Sequence, residues 1–158
     1  MDSPLINKSP EFATMVVLFY EDYSKSKRDT TIAKQLLRSA TSVGANTNEA
    51  IYGSSRADFI AKLHISLKEV SESIYWLTLL KNTKIFDYDY DVIITLGEEI
   101  KRMLISSINT AKTNLGKKRH PHGCLFCHKY SLISTASFSS RFIRRLAISS
   151  DTSSAPLY

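Results

Sequence analysis

Apolar residues recur every three or four positions through most of the chain, and this spacing predicts α-helices. The first stripe consists of Phe12, Met15, Val16, Phe19 and Tyr23. It predicts a helix that begins with Ser9 as its N-cap and Pro10 as its first helical residue, and that ends near Ser24. A polar connection over residues 25–29 follows this helix.

The second stripe predicts a helix capped by Asp29 or Thr30 that continues to Tyr52. Gly53 follows it and is expected to adopt the left-handed conformation that ends many helices. The heptad positions of this helix are Ile32, Leu36, Ser39, Val43, Asn46 and Ala50. Beside them, the same helix carries an additional apolar stripe of Leu37, Ala40, Gly44 and Ile51. Two stripes on one helix indicate contact with more than one neighbouring helix.

The clearest heptad pattern predicts a third helix, which a capping box of Ser55 and Asp58 opens and which ends near Asn82 to Lys84. The heptad positions of this helix are Ile60, Leu63, Leu67, Val70, Ile74 and Leu77. This unbroken alternation predicts one long helix that packs along most of its length.

A fourth helix is predicted after the acidic residues Asp87, Asp89 and Asp91, and it ends near Lys112. Its main stripe consists of Ile93, Leu96, Ile100 and Met103. Additional apolar positions are Val92, Ile94, Leu104, Ile105 and Ile108. They indicate either a broad core face or an oligomer interface.

Four helices with short connections predict an all-α fold, an antiparallel up-down-up-down four-helix bundle. We assign residues 1–115 to the bundle and residues 116–158 to a basic, Ser-rich segment outside it, which we expect to be flexible. Within that segment, residues 138–146 combine Phe and Arg in a pattern compatible with a short basic amphipathic helix. The segment is either a lineage-specific arm or an irregular gene end.

The charge is distributed unevenly along the chain. The net charge is +6, yet residues 1–115 contain 14 Lys/Arg and 14 Asp/Glu. Residues 116–158 contain 7 Lys/Arg and one acid, so the whole excess lies there. A basic segment attached to a neutral body indicates an arm for polyanions.

Motifs for catalysis and export are missing from the sequence. There is no Gly-rich phosphate loop, nucleophile elbow or helical metalloprotease motif, and His64 stands alone on the third helix. We therefore expect a protein that is not an enzyme and needs no cofactor. No apolar run is long enough to span a membrane and no signal peptide is evident, so we expect a cytoplasmic protein without membrane contact.

Cys124 and Cys127 are the two cysteines of the chain, and with His128 they match a c-type haem attachment motif. That chemistry requires export, for which the sequence has no signal. With His120 and His122 the same residues offer zinc ligands, but a second ligand pair at finger spacing is missing. The preferred interpretation is two reduced cysteines without a metal.

Residues 35–50 are crowded with Ser, Thr, Asn and Gly, which are poor helix formers. A helix tolerates them where small side chains admit a close neighbour or where polar ones meet specific partners. This part of the chain resembles the bacterial four-helix-bundle proteins encoded in 23S rRNA intervening sequences, over Lys34 to Ser39, Thr41 to Asn46 and Glu49-Ala50. The likeness continues through residues 57–63, 67–69 and 72–77.

The resemblance implies a small cytoplasmic bundle that assembles into a ring-like homopentamer. The accessory variability determinants of diversity-generating retroelements look like relatives with the same bundle. For them the resemblance implies binding to nucleic acid and to a reverse transcriptase. No catalytic residue carries over. The matching positions are Arg38, Ser39, Ser42, Gly44, Ala45, Asn46, Glu49 and Ala50.

A structural role is the preferred interpretation of these motif residues. Gly44 and Ala45 are expected to let another helix approach closely. Ser39 and Asn46 occupy seam positions and are expected to hydrogen-bond across the seam, which fixes register. Arg38 and Glu49 are expected to form a polar pair between neighbouring helices or subunits.

The leading functional hypothesis is a homo-oligomeric adaptor, with a ring-like pentamer as the expected assembly, that binds nucleic acid. RNA is the preferred ligand, and DNA is the alternative. The candidate contacts are Lys34, Arg38, Arg56, Lys62 and Lys68, assisted by Lys117, Lys118 and Arg119. The alternative for these charges is a solvated helix face balanced by neighbouring acids. The alternative function is a protein-interaction scaffold, for example for a reverse transcriptase, without affinity for nucleic acid.

Overall fold

The computed structural model describes residues 3–113 of the 158-residue chain. Within that range the chain forms four helices and no strand: α1 Pro4–Lys25, α2 Thr31–Ile51, α3 Arg56–Thr83 and α4 Tyr90–Thr113. The prediction of an all-α four-helix bundle is confirmed. The segment 116–158 lies outside the described residues.

The four helices enclose one hydrophobic core. α1 and α3 each pack on both α2 and α4, so every helix has two neighbours. All four helices contribute to the fully buried side chains, which include Phe12, Val16, Phe19, Leu36, Val43, Leu63, Val70, Leu77, Ile93, Ile100 and Leu104. Burying one side chain of this size contributes about 1.5–3 kcal/mol. This packing, rather than helix propensity, holds the four helices in place.

Contacts across α2 and α3 follow opposite residue order along the two helices. Ser39, early in α2, contacts Ser73, late in α3. Thr47, late in α2, contacts Ser66, early in α3. This pairing determines which surface residues of the two helices become neighbours.

The predicted start of α1 is wrong. α1 begins at Pro4, because proline is tolerated in the first turn, where backbone N–H groups have no helical partner. Ser9 is buried inside the helix, and its hydroxyl donates to the carbonyl oxygen of Leu5 at 2.6 Å. Pro10 therefore lies in the helix interior. The extra turn buries Leu5 against the core.

The predicted conformation of Gly53 is also wrong, since Gly53 does not adopt the left-handed conformation. The helix ends at Ile51. A Cβ atom at position 53 would lie 3.1 Å from both the carbonyl oxygen of Ala50 and the backbone nitrogen of Phe59. Glycine is therefore needed there for the close approach of α3 to the end of α2.

Side chains cap the starts of α2 and α3 in ways that differ slightly from the sequence prediction. Asp29 accepts hydrogen bonds from the backbone nitrogen and the hydroxyl of Thr31, at 2.8 and 2.6 Å. Ser55 caps α3 by accepting from the backbone nitrogen of Asp58 at 3.1 Å. The Asp58 carboxylate accepts from the backbone nitrogen of Ser54 at 3.0 Å. A reciprocal capping box would have used Ser55 instead.

The apolar surplus of α4 divides between core and surface. Leu104 and Ile108 are buried and Ile94 is half-buried, so the broad core face accounts for them. Val92 and Ile105 keep 52% and 42% of their surface exposed. Neither α4 nor any other helix of residues 3–113 is long and apolar enough to cross a membrane.

Candidate nucleic-acid interface

The motif residues on α2 differ in their surroundings. Ser39 and Ala50 are buried, Ser42, Gly44 and Asn46 are half-buried, and Arg38, Ala45 and Glu49 are exposed. One part of the motif therefore serves packing, and another part lies on the surface of the bundle.

Gly44 lies against the backbone of α1. A Cβ atom at position 44 would lie 3.8 Å from the carbonyl carbon and oxygen of Ser9 and 4.0 Å from the nitrogen of Pro10. These are ordinary van der Waals distances, so the space admits a methyl group. Gly44 thus permits the close approach that the sequence suggested. Ala45 is exposed, and its predicted part in close packing is wrong within the chain.

Buried hydroxyl groups connect α2 to α3. The Ser73 hydroxyl donates to the Ser39 hydroxyl at 2.8 Å. The Ser66 hydroxyl lies 3.1 Å from both the Thr47 hydroxyl and the carbonyl oxygen of Val43. No buried side-chain nitrogen or oxygen of residues 3–113 lacks a hydrogen-bond partner. Such a satisfied network opposes slippage of one helix along the other.

Two predicted polar contacts of the motif take a different form. The Asn46 amide donates to the carbonyl oxygen of Ser42 at 2.9 Å, within α2, so it does not bridge the seam. Arg38 and Glu49 do not pair within the chain, because eleven positions separate them on the same helix. The Glu49 carboxylate instead forms an ion pair with Lys62 of α3.

This ion pair occupies one of the candidate nucleic-acid contacts. The hydrogen bond and the charge of Glu49 raise the pKa of Lys62. A phosphate group that approached Lys62 would have to compete with a carboxylate already in place. Lys62 is therefore a poor site for phosphate binding.

Arg38 lies in the electrostatic field of another acid. Burial and the neighbouring Glu72 carboxylate raise the pKa of Glu69, and the Arg38 guanidinium opposes that shift. Because Arg38 favours the charged form of Glu69, part of its own positive charge is balanced locally. Arg38 is exposed and remains accessible to solvent.

The candidate cations do not form one patch. Lys34 and Arg38 share an exposed side of α2, while Arg56 lies in the first turn of α3. Lys62 and Lys68 are six residues apart, which places them about 120° apart around a helix with 3.6 residues per turn. The assisting residues Lys117, Lys118 and Arg119 lie outside the described residues.

Candidate metal ligands do not cluster in the part of the chain that the structure describes. Residues 3–113 contain no group of three His, Cys, Asp or Glu side chains that could hold a metal ion. The run from His120 to His128, which carries the zinc and haem hypotheses, lies outside the described residues.

The sequence interpretation missed Thr47, Ser66 and Ser73 as partners in the buried network. Ser66 and Ser73 are seven residues apart, which is one heptad, and this spacing was the available signal. Both serines lie directly beside apolar heptad positions, so the apolar pattern alone did not identify them as buried.

Comparisons with known proteins agree with the helical architecture. A family model described as 23S rRNA-intervening sequence protein matches residues 1–106. The chain is also similar to a protein with unknown function from the S23 ribosomal protein family of Bacteroides thetaiotaomicron VPI-5482, whose crystal structure was determined at 1.70 Å resolution. The identity is 44% and the TM-score is 0.63, over 66% of this chain and 97% of that chain. No curated protein matches the chain.

Proposed function

This chain belongs to the family of 23S rRNA-intervening sequence proteins, and on that premise we propose that it is a non-enzymatic adaptor that binds RNA. The adaptor is a homo-oligomer, with a pentamer as the expected assembly. Its bundle is the assembly unit, and its basic segment 116–158 supplies most of the attraction for RNA.

The uneven charge distribution is the observation that carries this proposal. The seven Lys/Arg of residues 116–158 are opposed by a single acid, whereas residues 1–115 are neutral overall. Phosphate neutralisation by Lys and Arg supplies most of the sequence-independent affinity of proteins for nucleic acid. The attraction for RNA is therefore expected from the segment that contains the excess.

The contacts within the bundle support the same division. Lys8, Lys62, Lys81 and Lys101 form ion pairs with acids of the bundle. Exposed pairs of this kind contribute little to stability, because water and salt screen them. They nevertheless reduce the positive potential that a phosphate would meet, so the sides of α2 and α3 are weaker candidates than the sequence suggested.

The test is binding of the full-length protein to a labelled RNA hairpin over a series of salt concentrations. We expect the logarithm of the binding constant to fall linearly with the logarithm of the salt concentration, because RNA binding releases counterions. Sedimentation of the same sample reports the assembly. Absence of binding at low salt would reject the RNA-binding function, and a monomer at the binding concentration would reject the oligomer.

A protein scaffold, for example for a reverse transcriptase, is the second candidate function. The overall neutrality of residues 1–115 and the exposed apolar side chains Val92 and Ile105 favour it. If the protein is a scaffold without affinity for RNA, its purification should yield one protein partner in stoichiometric amount and free of nucleic acid. The RNA-binding adaptor would show salt-dependent RNA binding without that partner.

A further inference from the structure

The region of the chain without acids begins inside the bundle. From Ile100 to Ser150 the sequence contains no Asp or Glu. The final turns of α4, which ends at Thr113, belong to this stretch. They contain Lys101, Arg102 and Lys112. The boundary drawn at residue 116 therefore divides a single stretch of the chain that contains cations but no acids.

The exposed surface of these turns consists of cations, hydrogen-bond donors and one apolar side chain. Its exposed residues are Arg102, Ile105, Ser106, Asn109, Thr110, Lys112 and Thr113. Carboxylates accept hydrogen bonds and repel phosphates, and this surface has none. Ser, Thr, Asn, Lys and Arg side chains all contact phosphate oxygens in nucleic-acid complexes.

Lys68 of α3 lies at about the same level of the bundle as this surface. Ile74 packs next to Gly97, and Lys81 pairs with Asp91, so residue numbers fall along α3 as they rise along α4. Continuing this pairing places Lys68 within about one helical turn of the level of Arg102, measured along the bundle axis. Lys68 is exposed.

These cations differ from the ion-paired lysines of the bundle, such as Lys62 and Lys101. Within residues 3–113, Lys68, Arg102 and Lys112 form no ion pair with an acid. Glu69, which follows Lys68 in the sequence, interacts with Arg38 of α2 on another side of α3. A phosphate that approached these three cations would displace water but no bound carboxylate.

We propose that this surface binds RNA phosphates, and we name it the α4 basic face. It consists of Lys68, Arg102 and Lys112 together with the hydrogen-bond donors Ser106 and Asn109. The inference rests on the proposed RNA-binding function and assigns a site within it. The α4 basic face fixes the position of the RNA on the bundle, while the segment 116–158 adds further neutralisation. Its ligand is the phosphodiester backbone, so it confers no sequence preference.

Chain length allows the face and the basic segment to contact one RNA. Lys117, Lys118 and Arg119 follow the end of α4 within six residues of Thr113. An extended chain advances at most about 3.6 Å per residue, so six residues span at most about 22 Å. An RNA bound on the α4 basic face is therefore within reach of these cations.

The test uses the full-length variant K68Q/R102Q/K112Q and an RNA hairpin in a salt series. Each phosphate contact contributes roughly 0.7–0.9 to the slope of log affinity against log salt. We expect the slope to fall in magnitude by about two and the affinity at low salt to fall by at least about tenfold.

The matched control is K27Q/R28Q/K84Q, which removes the same charges, two Lys and one Arg. These three residues are exposed near the ends of α1 and α3, away from the end of α4. Because the substituted side chains are exposed, we expect both variants to fold. Circular dichroism spectra and unfolding midpoints equal to those of the unsubstituted protein verify this. We expect the control to keep a slope nearer that of the unsubstituted protein.

Equal slopes for the two triple variants would overturn the α4 basic face, because the effect would then reflect net charge alone. That result would leave the proposed function intact as long as the unsubstituted protein binds RNA. Failure of the unsubstituted protein to bind would reject the proposed function itself. The two failures are therefore distinguishable in one series.

Discussion

Gly44 and Gly97 both lie inside helices, but the space around them differs. A Cβ atom at Gly44 would make ordinary contacts of 3.8 Å or more with α1. A Cβ atom at Gly97 would lie 3.1 Å from Ile74 and 3.2 Å from Phe12, whose side chain is fully buried. The same substitution is therefore expected to have opposite effects at the two positions.

We predict that Gly44→Ala raises the free energy of unfolding by about 0.5–1 kcal/mol, because alanine loses less backbone entropy than glycine in a helix. Gly97→Ala is predicted to lower it by about 1 kcal/mol, because overpacking outweighs that gain. Gly44→Leu is predicted to lower the free energy of unfolding as well, since the larger side chain would press against the backbone of α1. Urea unfolding measures all three, and equal effects of the two alanine variants would contradict the packing described here.

Single residues show where sequence interpretation of the site succeeded and where it stopped. The seam position of Ser39 was recognisable from the heptad spacing of α2, and Ser39 does bond across the seam. Its partner Ser73 lies one heptad from Ser66, but that spacing alone did not identify it, because a serine beside the heptad positions is equally typical of a solvent-facing residue. Asn46 shared the same seam pattern, yet its amide bonds within its own helix. Spacing identifies the face of a residue but not the direction of its hydrogen bonds.

At the scale of the helices, existence was predictable and boundaries were less so. Apolar spacing located all four helices, since each must bury one stripe. The start of α1 was misplaced because Ser9-Pro10 has the composition of a helix N-terminus. Pro4, six residues earlier, is equally compatible with the first turn of a helix. Local composition cannot decide between two such starts. The burial of Leu5 against the rest of the bundle decides it.

The end of α3 gives a prediction about a single turn. Lys84 is left-handed, with φ 49° and ψ 23°, a conformation that is unfavourable for residues with a Cβ atom. Lys84→Gly is therefore predicted to raise the free energy of unfolding by about 1 kcal/mol. Lys68→Gly, at an exposed position in the middle of the same helix, serves as the control and should lower it by about 1 kcal/mol. Thermal or urea unfolding that gives the same sign for both variants would contradict this assignment.

At the scale of the whole molecule, the sequence indicated the charge asymmetry but not the pairing of individual charges. Lys62 was a reasonable candidate until the fold placed Glu49 beside it. Its partner lies thirteen residues away on a different helix, and only the packing of α2 on α3 brings the two together. Arg102 and Lys112 were not singled out, because the boundary at residue 116 divided a stretch without acids that begins at Ile100.

Truncation is feasible because the bundle corresponds to a complete relative. The similar Bacteroides protein is covered over 97% of its length by 66% of this chain. A protein that ends at residue 115 retains all four helices and the α4 basic face. We therefore expect it to fold without residues 116–158, and circular dichroism verifies this before binding is compared.

The comparison of RNA binding by full-length protein and by residues 1–115 over a salt series tests the central claim most directly. We predict that truncation weakens binding at low salt by at least about tenfold and reduces the salt slope, because it removes seven cations and one acid. A smaller, salt-dependent affinity should remain through the α4 basic face. Equal affinity and equal slope for the two proteins would contradict the account, because the basic segment would then contribute nothing to RNA binding.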